Sequence, residues 1–215
     1  MGGSLMRGKI VGIIIFMLLT TPLLSTTANA GDEENPEITD SDDDAFGNID
    51  IKSVWFWEKS EEPDCLFVCM KINEPKLYKI QQTFAVFWEY NGTIYGCGTF
   101  IGLYIIGWES WSAGEYINSA PAGGPNYFEI DKGTYDKSTG IITWKIPKDI
   151  LGNPNPGDVL TKTWSNAFQR FGFLGLIGLS RPIIDQMAKI FFGNSLWDYA
   201  PNESNEYGLD YIIQY

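Results

Sequence analysis

Thr83-Phe84-Ala85-Val86-Phe87-Trp88-Glu89-Tyr90-Asn91-Gly92-Thr93-Ile94-Tyr95-Gly96-Cys97-Gly98-Thr99-Phe100-Ile101 is the stretch that decides the fold. Two runs rich in β-branched and aromatic residues flank an Asn-Gly pair. Both turn residues tolerate positive φ, so the pair closes a tight hairpin between Thr83–Tyr90 and Thr93–Ile101. Working upstream, Asp50 to Trp57 and Leu66 to Ile72 read as two strands joined by the turn Glu61-Glu62-Pro63-Asp64. Downstream, Leu103 to Trp108 is a further apolar run, and 112–126, rich in Gly, Pro, Ser and Ala, reads as a long loop. Tyr127–Ile130 and Gly140–Ile146 read as another strand pair joined by 131–139. In the second of these, Ile142, Trp144 and Ile146 alternate with Thr143 and Lys145, which buries one face.

Pro147 to Gly152 suits a single helical turn, with Pro at its start and Gly at its end. Asn153 to Asp158 is a turn cluster. Val159–Ala167 and Arg170–Leu179 are the last clear strands. In Pro182–Phe192 the apolar residues Ile183, Ile184, Met187, Ile190 and Phe191 recur at helical spacing, and Gly193 stops the run. The expected fold is therefore all-β, a two-sheet antiparallel jelly-roll-like sandwich with one short helix in the C-terminal half. The abundance of glycine, 23 residues, between short β-branched runs agrees with a turn-rich β domain.

Residues 1–30 read as a signal peptide: Arg7 and Lys9, an apolar run from Ile10 to Leu19, then the small-x-small triplet Ala28-Asn29-Ala30. Thr20, Thr21 and Pro22 interrupt the run before it reaches the roughly 20 residues of a membrane span, so a membrane enters only if the segment is uncleaved. Residues 31–46 read as an acidic disordered linker, and 47–215 as a single domain. Between Gly31 and Asp64 there are 13 acids against Lys52 and Lys59, which accounts for most of the net charge of −12. No basic stripe exists to neutralise phosphates, so nucleic acid is not an expected partner. The expected location is secreted or at the cell surface.

With no histidine in the chain, Ser-His-Asp and Cys-His catalysis and imidazole-ligated zinc are excluded. No Gly-rich nucleotide loop occurs. A carboxylate pair of the glycosidase kind is the device that composition leaves open. No such pair stands out, and the reading is non-enzymatic.

The order of features, Asp50-Ile-x-Ser-Val-Trp-Phe, the Asn-Gly hairpin, Ile142-Thr-Trp-Lys-Ile-Pro leading into Ile150-Leu-Gly-Asn-Pro-x-Pro-Gly-Asp, then Asp198-Tyr-Ala-Pro and Tyr207-Gly-Leu-Asp-Tyr, resembles the DOMON-like and family-9 carbohydrate-binding-module-like β-sandwich domains. The likeness is greatest to secreted archaeal ones. It implies a jelly-roll-like sandwich whose characterised members bind sugars or haem. The absence of histidine departs from the haem-binding members and removes His/Met ligation here.

The aromatic residues are the leading candidates for binding. Trp55 and Trp57 share one strand face, and Trp108 and Trp111 flank a loop, where exposed indoles would stack on the apolar faces of sugar rings. Trp88 and Trp144 read as core. The expected partner is a carbohydrate or a cell-envelope component, with a structural or protein-interaction role as the alternative. Asp40, Asp42, Asp44 and Asp50, with Asp43, offer hard oxygen ligands for a structural calcium ion, against the plainer reading of a solvating charge run. Asn91-Gly-Thr and Asn202-Glu-Ser are glycosylation sequons in an exported chain. Cys65 and Cys69 lie about 13 Å apart along one strand and cannot pair with each other. Cys97 is free to pair with either, unless an intervening strand separates Cys69 from Cys97, in which case all three are buried thiols.

Overall fold

The computed structural model describes residues 31–40, 45, 48–73, 81–101, 109–116, 126–131, 133–170, 186, 197–201 and 206–215. The segment 1–30, the runs 103–108 and 171–179, the helical pattern 182–192 apart from Gln186, and the candidates Asp42, Asp43, Asp44, Trp108 and Asn202 lie outside these residues.

The strands are β1 (Ile38–Thr39), β2 (Ile51–Trp57), β3 (Cys65–Ile72), β4 (Gln81–Tyr90), β5 (Thr93–Ile101), β6 (Glu109–Glu115), β7 (Asn126–Glu129), β8 (Thr134–Asp136), β9 (Ile141–Pro147), β10 (Val159–Arg170), β11 (Trp197–Ala200) and β12 (Tyr211–Ile212). They form an all-β sandwich of two antiparallel sheets. The small sheet runs β1-β2-β3-β9-β8; the large one runs β11-β10-β4-β5-β6-β7, with β12 paired to β10. The core lies between them. Val54, Phe56, Leu66, Val68, Met70, Ile142, Trp144 and Ile146 from the small sheet meet Phe84, Val86, Trp88, Cys97, Trp111 and Ala113 from the large one.

The hairpin forms as the Asn-Gly signal requires. Asn91 and Gly92 take φ of 50° and 77°, and the β4–β5 ladder holds from Tyr90 opposite Thr93 to Gln82 opposite Ile101. The helical turn also forms, over Lys148–Leu151, with Pro147 before it and Gly152 in the left-handed region at φ 79°.

Four expectations are corrected. Residues 31–46 are not a free linker throughout, because Ile38–Thr39 pairs with β2 and Glu37, Ile38 and Asp40 are all buried. One apolar residue was enough to seat the edge strand in an otherwise acidic run. The start of the expected loop 112–126 is strand β6. There Trp111 and Ala113 point into the core while Ser112 and Gly114 lie opposite Gly98 and Gly96 of β5. Small residues facing small residues hold the two strands together where hydropathy alone sees only a loop. The strand at 126–129 does not pair with the one at 141–147: β7 pairs with β6 in the large sheet, while β9 pairs with β8 and β3 in the small one. The chain passes from one sheet to the other between the end of β7 at Glu129 and the start of β8 at Thr134. Finally, β10 runs unbroken through Arg170 rather than breaking after Ala167.

Cys69 on β3 and Cys97 on β5 belong to different sheets, and all three cysteines are free thiols.

Candidate functional site

Strand β10 carries its polarity inside out. Thr163, Ser165, Ala167 and Gln169 face inward and are buried, whereas Trp164, Asn166 and Phe168 between them are half-buried on the outer face. The inward polar groups are satisfied. Thr163 donates to the Leu209 carbonyl at 3.0 Å, Ser165 to the Ala200 carbonyl at 3.4 Å, and Gln169 accepts from the Asn48 amide at 3.0 Å. Burial with partners costs these groups little, and the alternation of the strand then forces the large rings outward.

A β-bulge sets the outer face. Thr161 lies opposite Glu89 and Trp164 opposite Phe87, so β10 spends one more residue than β4 between the two pairs. Lys162, in the bulge, takes φ of 49° and reaches the Glu89 carboxylate at 2.7 Å. That hydrogen bond holds the Lys162 ammonium above the ordinary lysine range. Beyond the bulge, Trp164 stacks on Phe87 with centroids 5.0 Å apart and planes at 18°. Tyr116 meets Phe87 edge to face at 5.4 Å, and Tyr207 meets Trp164 at 6.1 Å.

Gly96 makes room for this cluster, since a Cβ there would lie 2.6 Å from the Phe87 ring. The cluster is graded from a buried Phe87 to a half-buried Trp164 and a Tyr207 that is 54% exposed. Farther along β10, Asn166 lies opposite Tyr199, itself 51% exposed, and Phe168 stacks on Trp197 at 4.7 Å. Trp164 and Phe168 are four residues apart on one strand face, about 13 Å.

The small sheet has its own aromatic outer face. Trp55 and Trp57 do share it, as the sequence pattern implied. Trp57 stacks on Phe67 at 4.4 Å, and Lys59 sits over both rings at 5.0 and 4.6 Å in a cation–π arrangement. Lys145 approaches Phe67 at 6.0 Å and pairs with Glu62. The Trp57 indole N–H donates to the Cys69 sulfur at 3.3 Å. Trp55 is only 7% exposed.

Trp111 belongs to neither outer face. It is 3% exposed and packs in the core against Trp144, so the stacking role expected of it has no surface to act on. No protein-family model, curated protein or solved structure matches this chain.

Of the metal candidates, Asp40 and Asp50 are buried at the N-terminal end, where Asp50 accepts from the Asn73 amide at 2.8 Å and pairs with Lys52 at 3.4 Å. Among the described residues no three His, Cys, Asp or Glu side chains are grouped to hold a metal ion, and no helix is long and apolar enough to cross a membrane. Asn91 is exposed at the hairpin tip. The sequence reading did not single out Trp164, Tyr207, Phe87, Tyr116 or Tyr199. The signal was present in 163–169, where small and polar residues alternate with Trp, Asn and Phe, and hydropathy assigns the faces the wrong way round.

Proposed function

We propose that this protein is a non-catalytic extracellular binding domain that takes up carbohydrate on the outer face of its large sheet, around Trp164 and Tyr207. The observation that carries the reading is the inverted polarity of β10, which buries threonine, serine and glutamine and leaves a tryptophan and a phenylalanine on the outer face. Local rules are broken in this way most often where a surface has work other than folding. The chemistry fits a sugar: ring faces for the apolar C–H surface, with Glu89, Lys162 and Asn166 beside them to exchange hydrogen bonds with hydroxyls. The resemblance to sugar-binding sandwich domains and the leader-like segment at 1–30 support the same reading and an extracellular location.

The test is a tryptophan-fluorescence titration against soluble polysaccharides and cell-wall sugars, with and without calcium. A saturable shift that weakens about tenfold or more in Trp164→Ala and Tyr207→Ala, at unchanged melting temperature, supports it. No response across the panel, or a response that survives both substitutions, overturns the site and favours a structural or protein-interaction role in the cell envelope. The calcium arm bears on the acidic N-terminal end: a melting temperature raised by calcium and lowered by chelator would make Asp40 and Asp50 part of a structural site.

A further inference from the structure

Trp55 points away from the core yet is 7% exposed. An outward indole on the face of a two-sheet sandwich needs a cover, and the chain before β1 lies at the edge of the strand that carries it. Ile38 lies opposite Val54 and Thr39 opposite Ser53, antiparallel, so residues preceding Ile38 run back along Trp55, Phe56 and Trp57. Asp32 folds this stretch into a turn, its carboxylate accepting from the backbone N–H groups of Glu34 at 2.9 Å and Asn35 at 2.7 Å.

The turn sends Glu33 to an ion pair with Lys71, close enough to Cys69 to disfavour the thiolate there. Lys71 lies opposite Ser53, and Cys69 opposite Trp55. The Glu33–Lys71 pair therefore spans the outer face of β2, one residue pair from Trp55.

Two ties hold the segment. The Glu33–Lys71 pair is solvent-exposed and correspondingly weak. The other is Glu37, whose carboxyl accepts from the Phe56 N–H at 2.8 Å while its own carbonyl accepts from the Leu209 N–H at 2.7 Å. Glu37 is 2% exposed, and its second carboxyl oxygen has no hydrogen-bond partner among the described residues. Among the described residues, the titratable groups facing it are Asp32 on its own segment and, from β12, Tyr211, whose hydroxyl donates to Glu58 at 3.2 Å. Neither can neutralise a carboxylate. We infer that residues 31–37 are a releasable strap, closed over Trp55 while Glu37 is protonated and loosened when it is not. Burial pushes the Glu37 carboxyl up to about 7, so the change falls near neutrality. A charge left in that site is relieved most directly by the segment leaving it.

Hydrogen exchange of the intact chain at pH 6 and pH 8, corrected for the intrinsic pH dependence of exchange, tests this. The amides of Phe56 and Leu209, which donate to the Glu37 carboxyl and carbonyl, should lose protection by about tenfold between the two. Acrylamide quenching should rise in parallel, and that increment should vanish in Trp55→Phe. Glu37→Gln should stay protected at both pH values. Protection that does not change with pH, a loss that persists in Glu37→Gln, or an equal loss in β4 peptides would overturn the strap. None of these readouts depends on sugar binding.

Discussion

The indoles of Trp111 and Trp144 meet edge to face across the core, with centroids 6.1 Å apart and planes at 65°. One comes from β6 of the large sheet and the other from β9 of the small one, so the contact joins the two layers directly. Trp111→Ala should therefore cost about 3–5 kcal/mol, read from the denaturant midpoint, by removing buried surface and leaving a cavity. Trp164→Ala, on the outer face, should cost far less. Equal losses at the two positions would mean that Trp164 is a packing residue too.

Lys148 and Glu58 form a buried ion pair, with side chains 7% and 0% exposed. Glu58 also accepts from the Tyr211 hydroxyl at 3.2 Å and the Gln214 N–H at 2.6 Å. Lys148→Ala should cost about 3–5 kcal/mol by leaving an uncompensated buried carboxylate. Combining Lys148→Met with Glu58→Gln should recover a large part of that loss, and a double variant as unstable as the single one would rule the charge out as the cause.

Glu37 makes stability depend on pH with a definite sign. Its carboxyl is raised from 4.5 to about 7 in the folded chain. The folded state thus holds the proton more tightly than the unfolded state, and the contribution is full below 4.5 and lost as pH rises through about 7. The loss amounts to about 3 kcal/mol. In Glu37→Gln this part of the pH dependence of the melting temperature should disappear.

All three cysteines are free, and burial raises the pKa of each thiol, most of all at Cys97. Thiol titration of the unfolded, unreduced protein should find three reactive groups. In the folded protein the half-buried Cys65 should react first and Cys97 last. Fewer than three groups in the unfolded chain would reveal a disulfide.

Gly96→Ala should act on the large-sheet platform without touching a ligand. Its Cβ would lie 2.6 Å from the Phe87 ring and 3.0 Å from the Val86 carbonyl, so Phe87 must shift and carry Trp164 with it. A stability loss of about 1–3 kcal/mol is expected, together with weaker sugar binding. Binding unaffected by this change would separate the site from the Phe87–Trp164 stack.

The elements legible in the sequence were those with local causes. Asn91-Gly92 specifies a turn by its own backbone preference, and Ile142, Trp144 and Ile146 announce a half-buried strand by period alone. What stayed hidden depended on partners distant in the chain. Strand β6 is a strand because Ser112 and Gly114 meet Gly98 and Gly96, which hydropathy does not register. The outward face of β10 is fixed by acceptors at Ala200 and Leu209 and a donor at Asn48, none of them near it in sequence. Glu37 was concealed in an acidic run in which Asp32, Glu33 and Glu34 are exposed. Of the four tryptophans favoured from sequence, Trp111 is core, Trp55 is covered and Trp57 carries a lysine; the pattern found aromatic faces but not which rings remain available.

The segment from Gly208 to Ile213 joins Glu37 and Phe56 to β10. Leu209 bonds to Glu37, Tyr211 and Ile212 pair with β10, and the Tyr211 ring stacks on Phe56 at 5.6 Å. A chain made or threaded from its N-terminus thus keeps Phe56 and the inner side of β10 uncovered until these residues emerge. Native closure at Phe56 and along β10 must therefore wait for residues 208–213.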